Sequence, residues 1–171
     1  MNTRLALPIL AALALAASAC GGDDGTGPSE GGNSMSASLN GTAFQPPAIA
    51  VQGAYVAQQG LVTISGSRTT AGATTMVTIT INGTDGPGTY QISPNFAGTF
   101  GQVVKLQGVD VNAQQTWTTV VAGGNGSVTF TKLDASGATG TFSFDANPAP
   151  GNAATGEMKV MSGKFNVKFA N

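Results

Sequence analysis

The sequence predicts an all-β fold, a single antiparallel β-sandwich or up-and-down β-barrel of about eight to ten strands. Three observations lead there. Apolar and polar residues alternate with period two in one segment after another, turn signals recur at short spacing, and no helical period follows Cys20. Composition agrees, because the 171 residues include 25 glycines and are rich in Ser and Thr. Glycine and β-branched threonine both lower helix propensity. Charged residues are only 9%, but 41% are hydrophobic, which suits a chain that buries a core rather than a disordered one.

The first strand pair lies in Met35 to Phe44, where Met35, Ala37 and Leu39 share one face and Asn40-Gly41 turns the chain. Both turn residues tolerate the positive φ that a type I′ hairpin demands. Pro46-Pro47 then interrupts any ladder, since proline has no N–H to donate. Extended structure is expected again from Ala48 to Gln59, around Ile49, Val51, Tyr55 and Val56. Leu61 to Arg68 and Met76 to Ile81 read as half-buried strands, the first with Val62 and Ile64 on one face, the second with Val77, Ile79 and Ile81 on one face and Thr78 and Thr80 opposite. Thr69 to Thr75 reads as the loop between them, and Asn82 to Gly88 as a turn cluster.

Thr89 to Ile92 is a short strand with Tyr90 and Ile92 inward, ended by Ser93-Pro94. Phe100 to Val111 is a longer run with Val104, Leu106 and Val109 as core candidates, and Gln115 to Val121 carries Trp117. After the Gly123–Gly126 turn, Ser127–Leu133 and Gly137–Asp145 form the clearest hairpin, in which Val128, Phe130, Phe142 and Phe144 point inward. Phe165, Val167 and Phe169 close the fold, with Lys164, Asn166 and Lys168 outward. Lysines on a last strand are expected to guard an exposed edge.

The segment ahead of this domain reads differently. Arg4 is the only charge before Cys20, Leu5 to Ala16 is apolar apart from Pro8, and no acid occurs before Asp23. That order is the anatomy of a secretory signal, and the apolar run is shorter than the roughly 20 residues of a spanning helix. Ala17-Ser18-Ala19-Cys20 fits a lipobox with Ala17 in the place where Leu is commonest. The expectation is cleavage between Ala19 and Cys20 and lipid on Cys20; the alternative is ordinary cleavage after Ala-x-Ala, leaving a free thiol. Gly21 to Ser34 has no apolar side chain larger than proline and is expected to be a flexible tether. The expected organisation is therefore a signal over 1–19, an anchor and tether over 20–34, and one β-domain over 35–171.

With Met-Ser-Ala-Ser-Leu-Asn-Gly-Thr-Ala-Phe from Met35, Gly-Ser-Val-Thr-Phe-Thr-Lys-Leu-Asp from Gly126, Gly-Thr-Phe-Ser-Phe-Asp-Ala from Gly140 and Ser-Gly-Lys-Phe-Asn-Val from Ser162, the chain resembles a group of small bacterial lipoproteins carrying a domain of unknown function. The resemblance implies an all-β fold and a cell-envelope location, the outer membrane first. It supplies no active-site residues.

The chemistry of catalysis is largely missing from the composition. There is no histidine, which removes the usual general base and the commonest transition-metal ligand, and Cys20 is the only cysteine. Asp23 and Asp24 fall in the tether, Asp85 and Asp134 in turns, and Asp110, Asp145 and Glu157 share no motif. Asn40, Asn82 and Asn125 open sequons that read as turns. No catalytic residue, metal site or cofactor is expected, and no enzyme. Net charge is −1 with scattered basic residues, so no nucleic-acid partner is expected.

Trp117, set among Gln114, Gln115, Thr116, Thr118 and Thr119, reads either as a ligand-stacking aromatic or as a core indole. The outward Thr rows, Thr78 with Thr80 and Thr129 with Thr131, offer a flat face. Two functions follow: a non-catalytic, membrane-anchored β-domain that binds an envelope protein or carbohydrate, or a carrier of a small apolar or carbohydrate ligand inside a barrel.

Overall fold

The computed structural model describes residues 32–108 and 113–169. The expected signal with its cleavage site at Ala19 and Cys20, most of the expected tether, Val109 and Asp110 lie outside the described residues. Among the described residues eleven strands are present, one more than the upper end of the expected range, and two short 3₁₀ segments, Ala48–Ala50 and Ala57–Gln59, lie between them. In chain order the strands are β1 (Ser34–Leu39), β2 (Thr42–Phe44), β3 (Val51–Val56), β4 (Leu61–Thr70), β5 (Ala73–Ile81), β6 (Gly88–Ile92), β7 (Phe100–Gln107), β8 (Gln115–Thr118), β9 (Asn125–Asp134), β10 (Gly137–Pro148) and β11 (Met158–Lys168).

All ladders between named strands are antiparallel, and they join into one open sheet that folds over itself like a sandwich. The first layer runs β2-β1-β11-β10-β9-β6 and the second β8-β7-β5-β4-β3. β10 connects them. Its first nine residues pair with β9 and β11, while Asn147 and Pro148 pair with Thr118 and Trp117 of β8. At the opposite corner the layers meet through a single parallel bridge, Gly53 to Phe169, so the barrel reading gives way to an incompletely closed sandwich. Asn33 secures that corner, donating from Nδ2 to Val51 O at 2.9 Å and accepting from Lys168 N–H at 2.8 Å. Asn33, ahead of Met35, is thus part of the fold.

The period-two expectation holds through most of the core. Met35, Leu39, Val62, Ile64, Val77, Ile79, Ile81, Val128, Phe130, Phe142, Phe144, Phe165 and Val167 are all buried in one cluster. Fully burying such a side chain contributes about 1.5–3 kcal/mol.

Four expectations need correction. Ile49 is 91% exposed in a 3₁₀ turn over Ala48–Ala50, because the preceding proline pair delays the strand until Val51. Val56 faces outward at the end of β3. On β7 Val103 is fully buried on the inner face and Val104, also buried, lies on the other face opposite Met76, whereas Leu106 is exposed. The Val103-Val104 doublet left parity open; Gly101 decides it by facing the Phe144 ring. Finally, Lys164 and Lys168 do not guard an edge, since β11 pairs with β1 on one side and β10 on the other. Alternation reveals a strand's faces but not its neighbours.

The free edges are instead short. β2 has three residues before the proline pair, and β6 has five between Pro87 and Pro94, which is how an edge avoids intermolecular pairing.

The β1–β2 hairpin turns on Asn40-Gly41, with φ of 48° and 85°, as its sequence requires. The β4–β5 hairpin is tighter than the expected seven-residue loop. It turns on Ala71-Gly72 alone, with φ of 50° and 78°. Alanine in the left-handed region carries a Cβ clash that asparagine offsets by local hydrogen bonding. Ala71→Asn is therefore expected to stabilise the domain by about 0.5–1 kcal/mol in denaturant unfolding. A loss of stability would contradict the turn geometry.

Candidate functional site

The outer face of the first layer gathers the small polar residues of five strands. Thr89 of β6 pairs with Thr129 of β9, Thr129 with Thr141 of β10, Thr141 with Lys164 of β11, and Lys164 with Ser36 of β1. A second row places Thr139 opposite Asn166 and Asn166 opposite Ser34. Several of these groups are already fixed by one another: Thr89 and Thr129 hydroxyls lie 2.9 Å apart, and Thr139 Oγ1 donates to Asn166 Oδ1 at 3.1 Å. The Thr129 and Thr131 row expected from the sequence belongs to this face. The Thr78 and Thr80 row lies on β5 in the other layer.

Part of this face forms a groove of about 780 Å³. Ser34, Ser36, Thr131, Thr139, Thr141 and Asn166 supply hydroxyl and amide groups. Pro46, Pro47 and Ala48, which follow the β2 edge, form one wall together with Arg68 and Thr69 at the end of β4. Among the described residues the charges in the lining are Arg68 and Lys164, with no carboxylate. Arg68 Nη1 reaches Ala43 O at 3.5 Å, and neither cation has an ion-pair partner among the described residues. Two smaller depressions lie on the same face, around Ser127 and Ser143 and around Lys132 and Lys168.

Trp117 is not on that face. It is 5% exposed within the core cluster, its indole N–H donates to Gly156 O at 2.9 Å, and Lys105 Nζ sits 5.5 Å from the ring centroid. The core reading of this residue is the one the structure gives, because both its polar edge and its apolar surface are already engaged.

The carboxylates are dispersed and locally occupied. Tyr90 OH lies 2.9 Å from Asp85 Oδ1 and 2.8 Å from Gly86 O, and burial pushes that phenol above its usual range. Glu157 pairs with Lys159 at 3.1 Å, and with the nearby Asp145 it holds the Lys159 ammonium above the usual lysine range, the Glu157 hydrogen bond contributing most. Among the described residues no three His, Cys, Asp or Glu side chains converge as a metal site.

Sequence reasoning missed the asparagine clasps. Asn40, read only as a turn former, accepts from Lys159 N–H at 2.7 Å and donates to Glu157 O at 3.1 Å, fastening the start of β11. Asn152 Oδ1 accepts from Thr116 N–H at 3.0 Å and Ala154 N–H at 2.7 Å, tying the β10–β11 connection to β8. Apart from Ala154, two residues from Asn152, their partners are distant in sequence, so no local pattern marks the clasps.

In the β9–β10 turn, Ser136 Oγ–H and N–H donate to Asp134 Oδ1 at 2.5 and 2.7 Å, holding that carboxyl below its ordinary value of 3.8. A depressed folded-state value contributes stability above the ordinary carboxylate range, and that contribution is lost as pH falls through the folded value. Ser136→Ala is expected to raise the Asp134 midpoint toward 3.8 in a carboxyl NMR titration. An unchanged midpoint would remove Ser136 as the cause.

No curated protein and no solved structure matches the chain. Residues 33–168 match the family described as Domain of unknown function (DUF6252). The matched stretch begins at Asn33, the first side chain that clasps the fold, and ends at Lys168, the last residue of β11. The chain belongs to this DUF6252 family, whose domain here is an all-β, sandwich-like unit.

Proposed function

We propose that this protein is a bacterial envelope lipoprotein, anchored through lipid on Cys20, whose β-domain is a non-catalytic binding module using the outer face of its first layer. The observation that carries the anchor is the solitary cysteine directly behind Ala17-Ser18-Ala19 and an apolar run with one preceding charge. Lipid attachment there makes use of a thiol that has no intramolecular partner. Two acyl chains hold a protein at a membrane where one is marginal, each buried methylene adding about 0.8 kcal/mol.

The binding role rests on the groove and its rows of hydroxyl and amide groups, which a rigid sheet holds at fixed spacing. A carrier would need a hollow interior. The space between the layers is instead occupied by one contiguous cluster that includes Trp117 and the rings of Phe130, Phe142, Phe144 and Phe165. The absence of histidine and the local engagement of Asp85, Asp134 and Glu157 favour binding over turnover.

The anchor is tested by expressing Cys20→Ala in a bacterial host, with palmitate labelling and membrane fractionation. The substituted protein is expected to lose label and move to the soluble fraction, with its unfolding curve unchanged. Continued membrane retention without label would refute the lipoprotein reading.

A further inference from the structure

We propose that the groove on the first layer binds an acidic saccharide, a short run of carboxylate-bearing sugar units. This deepens the binding-module reading and rests on it.

The first argument is charge. Arg68 and Lys164 line the groove with no carboxylate in the lining among the described residues, while Lys132 and Lys159 elsewhere are paired with Asp134 at 3.4 Å and Glu157 at 3.1 Å. A net charge of −1 disfavours a long polyanion wrapped over the whole surface, but the local field in this groove is cationic. Arg68 presents a planar fork suited to a carboxylate, and Lys164 a mobile point charge.

The second argument is the remaining chemistry of the lining. Two cations alone would serve any anion, a phospholipid headgroup included. Around them, Ser36, Thr131, Thr139, Thr141 and Asn166 present both donors and acceptors, the complement of a ligand carrying many hydroxyls. The Pro46-Pro47-Ala48 wall offers apolar contact for sugar C–H groups. A volume of about 780 Å³ falls within the usual range for a small-ligand cleft. With Trp117 buried and no exposed aromatic ring in the lining, recognition relies on charge and hydrogen bonds rather than stacking.

The test uses the whole chain carrying Cys20→Ala, isotope-labelled and titrated with short oligogalacturonates, with neutral galacto-oligosaccharides as the matched control. NMR shifts are expected at Ser36, Thr141 and Lys164 with the acidic probe alone, weakening as salt is added. Arg68→Gln and Lys164→Gln should each weaken binding about two- to fivefold and together roughly tenfold, while Lys159→Gln, which removes the same charge elsewhere, should leave it unchanged. Equal binding of the neutral probe, no response to the acidic one, or an equal loss in Lys159→Gln would overturn the proposal. So would binding to anionic phospholipid vesicles without binding to oligogalacturonate, which would make the ligand a headgroup. Binding that appears only after Asp23→Asn, Asp24→Asn and Glu30→Gln would assign the groove to the chain's own acidic segment and overturn it likewise. None of these results bears on the fractionation of Cys20→Ala, so the anchor and the ligand can fail separately. Neutral-sugar binding at the same residues would retain the binding module while rejecting the acidic ligand.

Discussion

Phenylalanine rings lying on glycine backbone order the inner face of the first layer, and one of them, Phe144, carries that packing across to the second. Phe142 sits directly across the ladder from Gly163, and a methyl group placed on Gly163 would lie 2.6 Å from its ring carbons. Phe165 faces Gly140 in the same way, with its ring tip 2.8 Å from the place of a methyl. Phe144 spans the layers, its ring lying on Gly101 of β7 while its Cβ lies against Gly126 of β9. Each ring thereby gains contact with a strand that has no side chain to push it away, and each glycine is relieved of the exposed backbone that otherwise makes it a poor strand residue. The rings then meet one another, with Phe130 edge-on to Phe165 at 5.6 Å and Phe142 beside Phe144 at 6.3 Å.

This packing has a consequence for function, because it fills the space a carrier would leave open. It also fixes which residues face out. With Phe142, Phe144 and Phe165 committed inward, Thr141, Lys164 and Asn166 must face solvent, and the bulges beside Gly140 and Ser162 keep the rows aligned across β9, β10, β11 and β1. The outer groove is the far side of the same ladder.

Much of this was legible in the sequence, and the exceptions share a cause. Strands such as Val77–Ile81 and Val128–Phe130 announce their faces because period two is a local property. The Asn40-Gly41 turn is local too, whereas Ala71 gives no comparable signal and its left-handed backbone is imposed by the flanking ladder. Non-local facts were hidden: that β11 is central rather than an edge, that β10 serves both layers, and that Gly101 makes Val103 the inward residue of its doublet. The outward Thr129 row was visible, but its continuation through Lys164 to Ser36 depends on register between strands far apart in the chain. Arg68 joins the groove from the other layer, a placement no spacing in the sequence encodes.

The central claim is that ring-on-glycine packing, rather than general apolar burial, fixes the inner face of the first layer. A double-mutant cycle in denaturant unfolding tests it most directly, using Gly163→Ala, Phe142→Leu and the pair. Each single change should destabilise, one by crowding the ring and the other by emptying the space above Gly163. If the packing is specific, the methyl added at Gly163 occupies part of the space vacated by the ring, and the double variant should be less destabilised than the sum of the two by about 1 kcal/mol. Additivity within about 0.3 kcal/mol would contradict the account.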